Sequence, residues 1–488
     1  MHKLFEKTKA AYHPAYILNQ VSALLGWDQE THMPQAGIKA RSAQKEYIAG
    51  LRHQESISPQ FEQALSELLA CKDLSAEEKA AANLWKRDFD KATKLPKRFV
   101  EKWTATCAEA VHAWQIAREN NNFKAFCPHL KTIFELSQER AEHFGYKEHP
   151  YDALLDEYEP NATAEQIDTL FNELKPFLIE LTSSSTSNPT SLPPGPYPIE
   201  AQMSYVADLI QEMGLEPHHT RLDMSAHPFC TTLDPTDVRM TTHVTTDTPI
   251  PNISAVMHEG GHCLYERGLP IKFAGTPLCD SISLGIHESQ SRFWEVIIGQ
   301  SRPFWEYAYP KLQKTFNQLQ NFSLDNFYQT INRVHPSLIR VHADEITYTL
   351  HVILRYELEK ELLTNTLDPK DLPDAWNAKM QDYLGITPPN DALGCLQDMH
   401  WACGNVGYFP TYSLGNLYAA QFFATFIKTY PDYTSRIASG DLRFITAWLK
   451  EQIHSHGRLY SAPELCQIVT GSPLSSQPYR QYLTNKYK

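Results

Sequence analysis

The 488-residue sequence is poor in glycine, with 20 residues, and has no surplus of positive charge. Its 57 acidic and 44 basic side chains give a formal net charge of −13. Nucleic-acid-binding proteins need a basic surface for the phosphate backbone, so no nucleic-acid partner is expected. No apolar stretch approaches the roughly 20 residues of a membrane-spanning helix, so no membrane partner is expected either.

Several motifs that define large enzyme classes are also missing. The dinucleotide, P-loop and α/β-hydrolase signatures do not occur. The nine cysteines are an odd number, are far apart and include no C-x-x-C pair, which indicates free thiols in a reducing compartment. Because residues 1–20 carry four charges and no continuous apolar stretch, they do not resemble a signal peptide. We therefore expect a cytoplasmic protein.

What the sequence does contain favours α-helices. Alanine, leucine, glutamate, lysine and glutamine dominate the stretches between prolines. Ser75 with Glu78 and Thr163 with Gln166 form capping boxes, which start helices. A long helix is predicted for residues 338–363. The fold class predicted is mainly helical, in a single domain spanning 1–488.

Two segments break this helical pattern. Residues 182–198 are rich in serine and threonine and contain five prolines, which is typical of a surface loop. Between Phe229 and Pro251, β-branched residues alternate with polar ones, which predicts a hairpin or a small three-stranded sheet.

Residues 258–262 read His-Glu-Gly-Gly-His, an H-E-x-x-H motif. On a helix, His258 and His262 lie one turn apart and can share one zinc ion. Glu259 is turned about 100° from the first ligand and can reach a water at the metal without ligating the metal. This placement suits a general base.

The surroundings of the motif support a functional helix over two structural histidines. Asn252 or Ser254 can cap its start, and Gly268 with Pro270 can end it. The adjacent glycines of the motif cost roughly 1–2 kcal/mol relative to alanine in a helix interior. Close approach of another backbone, or of substrate, would explain them.

A catalytic zinc site needs a third protein ligand and one open position. Glu288 lies 26 residues after His262, at the start of a second helical pattern that ends at Gly299. We predict Glu288 as the third ligand. Glu295, on the same helix, is the main competitor and is interpreted as a surface or second-shell acid. Glu266 continues the first helix and is expected to point away from the site.

Further short motifs extend along nearly the whole chain. They are Trp27-Asp28 with Thr31, Met33 and Pro34; His227-Pro228-Phe229; Asp237, Arg239 and Thr241; His287-Glu288-Ser289-Gln290; Ile339-Arg340 with Ala343-Asp344; Gly394, Gln397, Asp398, His400 and Trp401; and Gly407-Tyr408-Phe409-Pro410-Thr411-Tyr412. With the zinc motif, their order resembles that of the carboxypeptidase Taq family of metallocarboxypeptidases.

The resemblance implies a helical fold with a deep groove and a small sheet beside the metal. It implies a homodimer that removes C-terminal residues from peptide substrates one at a time, with zinc, or cobalt as a substitute. His400 and Tyr412 are the implied donors to the oxyanion, because related gluzincin peptidases place a His and a Tyr there; Tyr408 is the alternative tyrosine.

An enzyme that acts at a free C-terminus must bind a carboxylate. The planar fork of an arginine suits this task, and Arg340 and Arg239 are the candidates. Arg340 could instead pair with Asp344, four residues further along the predicted helix. His227 and His287 are candidates for binding substrate or supporting a ligand.

Two other functions remain open on sequence alone. A related helical zinc oligoendopeptidase or dipeptidase would share the ligands and the base but lack the carboxylate anchor. A non-catalytic binding protein with a structural metal is disfavoured, because Glu259 is present and structural zinc usually has four protein ligands.

Overall fold

The protein is described by a computed structural model that covers residues 2–488. Helices dominate it, which confirms the predicted fold class. The twenty helices of the described residues are α1 Lys3–Thr31, α2 Ile38–Ser56, α3 Pro59–Ala70, α4 Ala76–Lys94, α5 Lys97–Glu119, α6 Phe123–Phe144, α7 Pro150–Leu155, α8 Ala164–Ser185, α9 Ile199–Met213, α10 Ile250–Gly268, α11 Leu284–Arg292, α12 Arg302–Thr315, α13 Leu324–Ile331, α14 Glu345–Leu363, α15 Leu372–Leu384, α16 Pro410–Thr429, α17 Tyr433–Ala438, α18 Arg443–Gln452, α19 Ala462–Thr470 and α20 Gln477–Tyr487.

A three-stranded sheet lies against α10. Its strands are β1 Thr220–Met224, β2 Cys230–Asp234 and β3 Asp237–Thr242, in the order β1-β3-β2. β2 and β3 form the predicted antiparallel hairpin, and β1 pairs parallel to β3. β1 precedes the predicted region, since its Thr-Arg-Leu-Asp-Met sequence is too polar to stand out.

Two separate hydrophobic cores hold the helices together. The larger one runs through the body and includes the fully buried Trp294 and Trp376. The smaller one lies between α1, α3 and α4, around Phe61 and Trp85. Ion pairs are among the contacts that join α4 to the body, such as Arg87 with Asp156 at 2.7 Å.

The predicted start of a helix is correct where a capping box sets it. Both capping boxes are present, at the starts of α4 and α8. α8 continues to Ser185, so the predicted loop at 182–198 begins later than expected, because its first proline is Pro189. No helix within residues 2–488 has the length and apolar character needed to cross a bilayer.

The predicted helix at 338–363 is wrong over its first seven residues. Arg340–His342 form a short 3₁₀ turn, and α14 begins only at Glu345. Asp344 is the N-cap: its carboxylate accepts hydrogen bonds from the backbone N–H groups of Ile346 and Thr347. An N-cap aspartate starts a helix, so it separates Arg340 from α14.

Candidate metal centre and active site

The H-E-x-x-H motif lies in the middle of α10, as its spacing predicts. The helix ends at Gly268, as expected, but it begins at Ile250 without a side-chain cap. The predicted cap Asn252 instead accepts a hydrogen bond from Thr242 of β3, at 2.6 Å. This buried bond ties the start of α10 to the sheet.

The glycine pair of the motif has the predicted structural cause. A Cβ on Gly261 would lie 2.5 Å from the backbone oxygen of Gln290 in α11, and one on Gly260 would lie 2.9 Å from Met213 Cε. Both distances are below van der Waals contact. The close approach of another backbone is thus confirmed at Gly261, and it brings α11 against the histidine turn of α10.

Three predicted ligands converge between α10 and α11. Glu288 Oε2 lies 3.7 Å from His258 Nε2 and 3.5 Å from His262 Nε2. Ligand atoms of these three residues all lie within 4.8 Å of one another, so they could hold one metal ion. Two ligands of a tetrahedral zinc, each at about 2.0–2.1 Å, are about 3.3 Å apart. The two imidazoles and the carboxylate therefore fit zinc in type and spacing.

Glu295 contacts His258 through the ring nitrogen that does not face Glu288. Its Oε2 lies 2.8 Å from His258 Nδ1, and its Oε1 accepts a hydrogen bond from Ser254. Arg292 Nη1 also donates to Glu295, at 2.8 Å. An acceptor on Nδ1 fixes the tautomer that leaves Nε2 free for a metal. Of the two roles predicted for Glu295, an acid that supports a proposed ligand fits these contacts, and a surface acid does not.

Burial and neighbouring charges shift the pKa values of the predicted ligands. Burial opposes charge on His258, but Glu288 and Glu295 outweigh it and raise its pKa to about 9. Burial, helped by the neighbouring His287, lowers the pKa of His262 to about 3. Burial would raise the pKa of Glu288, yet the two histidines and Arg292 lower it to about 2. Glu288 is thus ionised at neutral pH, as a carboxylate ligand must be.

Glu266 lies closer to the cluster than predicted. Its Oε1 is 2.8 Å from His287 Nε2, and the His287 ring stacks on His262 at a centroid distance of 4.4 Å. Glu266 is one turn after His262 on α10, so it does not point away as expected. It contacts the cluster through His287, which supports the predicted supporting role of that histidine.

Glu259, which follows His258 on α10, is buried, with 6% of its surface exposed. Burial raises its pKa to about 7, although the nearby His258 opposes the shift. A carboxylate with a pKa near neutrality can both accept and return a proton at physiological pH. The environment of Glu259 therefore suits the predicted general base.

The predicted oxyanion donors lie next to each other. His400 Nε2 is 3.2 Å from the Tyr412 hydroxyl, and Tyr408 packs edge-on against Tyr412 with ring centroids 5.3 Å apart. Burial lowers the pKa of His400 to about 4, so the imidazole is neutral at pH 7. Burial raises the pKa of Tyr412 well above 10, and the charge of Glu288 adds to the increase. The hydroxyl therefore keeps its proton close to the metal cluster.

Arg340 pairs with Asp398 and not with Asp344. Its Nη2 donates to Asp398 Oδ1 at 2.9 Å, and its Nη1 donates to the Tyr348 hydroxyl at 3.1 Å. The Arg340 guanidinium also lies over the Tyr412 ring, 5.0 Å from its centroid. The alternative pair with Asp344 is excluded, because Asp344 caps α14.

Sequence reasoning missed Arg355, the second cation on Asp398. Arg355 is completely buried, and its Nε donates to Asp398 Oδ2 at 2.7 Å. Burial would raise the pKa of Asp398, but Arg355 and Arg340 hold it far below its usual value. The available signal was a lone arginine within the apolar run Val352 to Tyr356 of α14.

The other two predicted substrate residues are Arg239 in the sheet and His227 in one of its loops. Arg239 on β3 forms an ion pair with Asp237, at 2.7 Å, and its guanidinium lies 4.6 Å from the Trp27 ring centroid. His227 is exposed in the loop between β1 and β2. Their substrate roles stay predictions.

Two histidines one turn apart on a helix, a carboxylate of the next helix close to both and a buried glutamate beside them are an arrangement typical of metallopeptidases. The model of the carboxypeptidase Taq (M32) metallopeptidase family matches residues 7–487. The chain belongs to this family. It is a metallocarboxypeptidase, and the oligoendopeptidase or dipeptidase alternative is not favoured.

Three named proteins are similar to the chain over nearly its full length. The chain is 39% identical to thermostable carboxypeptidase 1 of Thermus thermophilus, covering 96% of this chain and 95% of the relative. It is 38% identical to carboxypeptidase 1 of Bacillus subtilis, with the same coverage. The crystal structure of the M32 carboxypeptidase from Deinococcus radiodurans superimposes with a TM-score of 0.97 at 36% identity, covering 100% of this chain and 99% of that one.

Proposed function

We propose that the enzyme is a zinc carboxypeptidase that releases single C-terminal residues from peptides. The observation that carries the proposal is the convergence of His258, His262 and Glu288, with Glu259 beside them. Two imidazoles and one carboxylate are a ligand set of catalytic zinc, and cobalt is a plausible substitute.

The catalytic roles follow from the positions of the side chains. When bound, the metal polarises the scissile carbonyl and lowers the pKa of a water molecule toward neutrality. Glu259 takes the proton from the attacking water and delivers it to the leaving amine. His400 and Tyr412, whose Nε2 and hydroxyl lie 3.2 Å apart, are proposed as the donors to the oxyanion. Tyr408 is the alternative donor.

Specificity for a free C-terminus is assigned to Arg340. Of its five N–H groups, three have acceptors in Asp398 and Tyr348, so two remain for a substrate carboxylate. The contact of Arg340 with the Tyr412 ring supports a position next to the oxyanion donors. Arg239 on β3 and His227 in the loop between β1 and β2 are proposed as further substrate contacts.

A single assay tests the reaction. The protein is incubated with a defined peptide, and the products are followed by mass spectrometry. A ladder of single losses from the C-terminus is expected, and internal cuts or dipeptide release would contradict the proposal. A chelator should abolish the ladder and added zinc should restore it; full activity in metal-free protein would exclude a metal-dependent reaction.

We further propose that the chain acts as one functional unit in a cytoplasmic homodimer. The nine free cysteines support a reducing compartment. Light scattering on the purified protein tests the dimer, which predicts about twice the 55.8 kDa of one chain.

A further inference from the structure

Helix α11, which carries Glu288, packs closely against a glycine on each of two neighbouring helices. On the α10 side, a Cβ at Gly261 would lie 2.7 Å from Ser291 Cα. On the α16 side, a Cβ at Gly415 would lie 2.5 Å from Glu288 Cγ and 2.7 Å from Glu288 Cβ. Each glycine allows a helix approach that any other residue would prevent.

The contact at Gly415 is unusual because it involves the proposed metal ligand itself. Ordinary van der Waals contact to a Cβ begins at 3.4 Å, so an alanine at 415 would be about 1 Å too close. Rotating the carboxylate cannot relieve the overlap, because the position of Glu288 Cβ is fixed by the α11 backbone. The two helices must therefore move apart, whichever rotamer Glu288 adopts.

A second glycine contact holds α11 close to α10. Gly261 places α10 in contact with the backbone of Gln290 and Ser291. Glu288 therefore lies on a helix that glycines bring close to both neighbours, with its carboxylate 3.5 Å from His262 Nε2.

We propose that Gly415 is a positioning residue for the metal centre: it sets the depth at which Glu288 reaches His258 and His262. This inference rests on the proposed role of Glu288 as a ligand. Metal-site geometry tolerates displacements of only about 0.5 Å. Disturbing the support of a ligand typically lowers metal affinity about 10–100-fold.

The test compares Gly415→Ala with a matched control, Gly50→Ala. Gly50 is also a helical glycine, on α2, and a Cβ there meets nothing within 4 Å. Zinc affinity is measured by competition with a coloured chelator, and the ligand geometry is followed by the visible absorption of bound Co²⁺. We expect Gly415→Ala to bind zinc about 10–100-fold more weakly, with an altered Co²⁺ spectrum. Gly50→Ala should match the parent protein.

A general loss of stability would give a different result. If Gly415→Ala only lowers the Tm of the metal-free protein and leaves zinc affinity and the Co²⁺ spectrum unchanged, the inference is overturned. Glu288→Ala separates the two proposals. If it keeps the parent affinity, the ligand assignment itself is wrong; if it loses the metal while Gly415→Ala does not, only the role of Gly415 fails.

A second variant covers the case in which Gly415→Ala does not fold. Glu288→Gly removes both atoms that lie within 3 Å of the new Cβ. The double variant Gly415→Ala/Glu288→Gly should therefore recover a folded helical protein by circular dichroism. Failure to recover would place the clash elsewhere and overturn the inference.

Discussion

The metal cluster and the cluster around Asp398 are both buried and charged, yet their charges are compensated in different ways. Around His258, Glu288 and Glu295 face the imidazoles, and Arg292 pairs with Glu295. Around Asp398, two guanidiniums share one carboxylate within the protein. The first cluster therefore suits a metal cation, whereas in the second Asp398 alone compensates two buried guanidiniums. We expect changes in the first to affect chemistry and changes in the second to affect folding as well.

The largest effects should separate base from ligand in the metal cluster. Glu259→Gln should keep zinc but lower kcat/KM by about 10²–10⁴-fold, because an amide cannot accept the water proton. Glu288→Ala should lose zinc as well. Metal content and peptide hydrolysis are measured for both, with the exposed Glu101→Gln as control. If Glu259→Gln lost the zinc and Glu288→Ala kept it, the two roles would be reversed.

Asp398→Asn tests the cluster around Asp398. It leaves two buried guanidiniums without a counter-charge and should lower the free energy of unfolding by about 3–5 kcal/mol. The measurement is denaturant unfolding of metal-free protein. Asp325→Asn is the matched control, because Asp325 also pairs with an arginine, Arg302, but is 69% exposed. The control should lose less than about 1 kcal/mol. Equal losses would contradict the comparison.

Arg340→Ala should affect substrate binding more narrowly. We expect a loss of about 2–5 kcal/mol in transition-state stabilisation for peptides with a free C-terminus. Amidated peptides should be poor substrates from the start and should lose much less. Arg340→Lys should recover part of the loss, since an ammonium lacks the bidentate fork.

The comparison of acid and amide peptides serves as the control for Arg340. If both peptides slow equally, Arg340 acts only through the fold, and Arg239 becomes the better anchor.

Glu295→Gln should have a moderate effect on the metal centre. The amide oxygen can still accept from His258 Nδ1, but the negative charge is lost. Zinc affinity should fall about 10–100-fold, while the metal-free protein keeps its helical circular dichroism. Unchanged affinity would show that Glu295 contributes only to packing.

The smallest expected effect is the pH dependence of the contribution that Asp398 makes to the free energy of unfolding. The pKa of Asp398 is depressed in the folded protein from its usual value of 3.8. Its contribution to stability is thus present above about pH 4 and is lost as the pH falls below that value. The difference in unfolding free energy between the parent and Asp398→Asn should therefore shrink below about pH 4. A difference that stays constant down to pH 3 would contradict this assignment.

The two clusters also differ in how far the sequence predicts them. His258, Glu259 and His262 follow from the spacing on a single helix, and Glu288 follows from the next helical segment and the family resemblance. Arg340 and Asp398 are 58 residues apart, so no local pattern connects them, and Arg355 was missed. The prediction of a helix through Arg340 failed for a local reason: the apolar periodicity extends across Arg340, but the N-cap at Asp344 sets the start of α14.

The two hydrophobic cores bear on how the stability of this enzyme should be measured. Trp85 lies in the smaller core, whereas Trp294 and all three proposed ligands belong to elements packed in the larger one. A chain with two cores has two candidate units of cooperativity, so a single Tm describes it only if calorimetric and van't Hoff enthalpies agree. Zinc distinguishes the cases. If the cores melt separately, zinc raises only the transition of the larger one; if they melt together, the Trp85 transition moves with it.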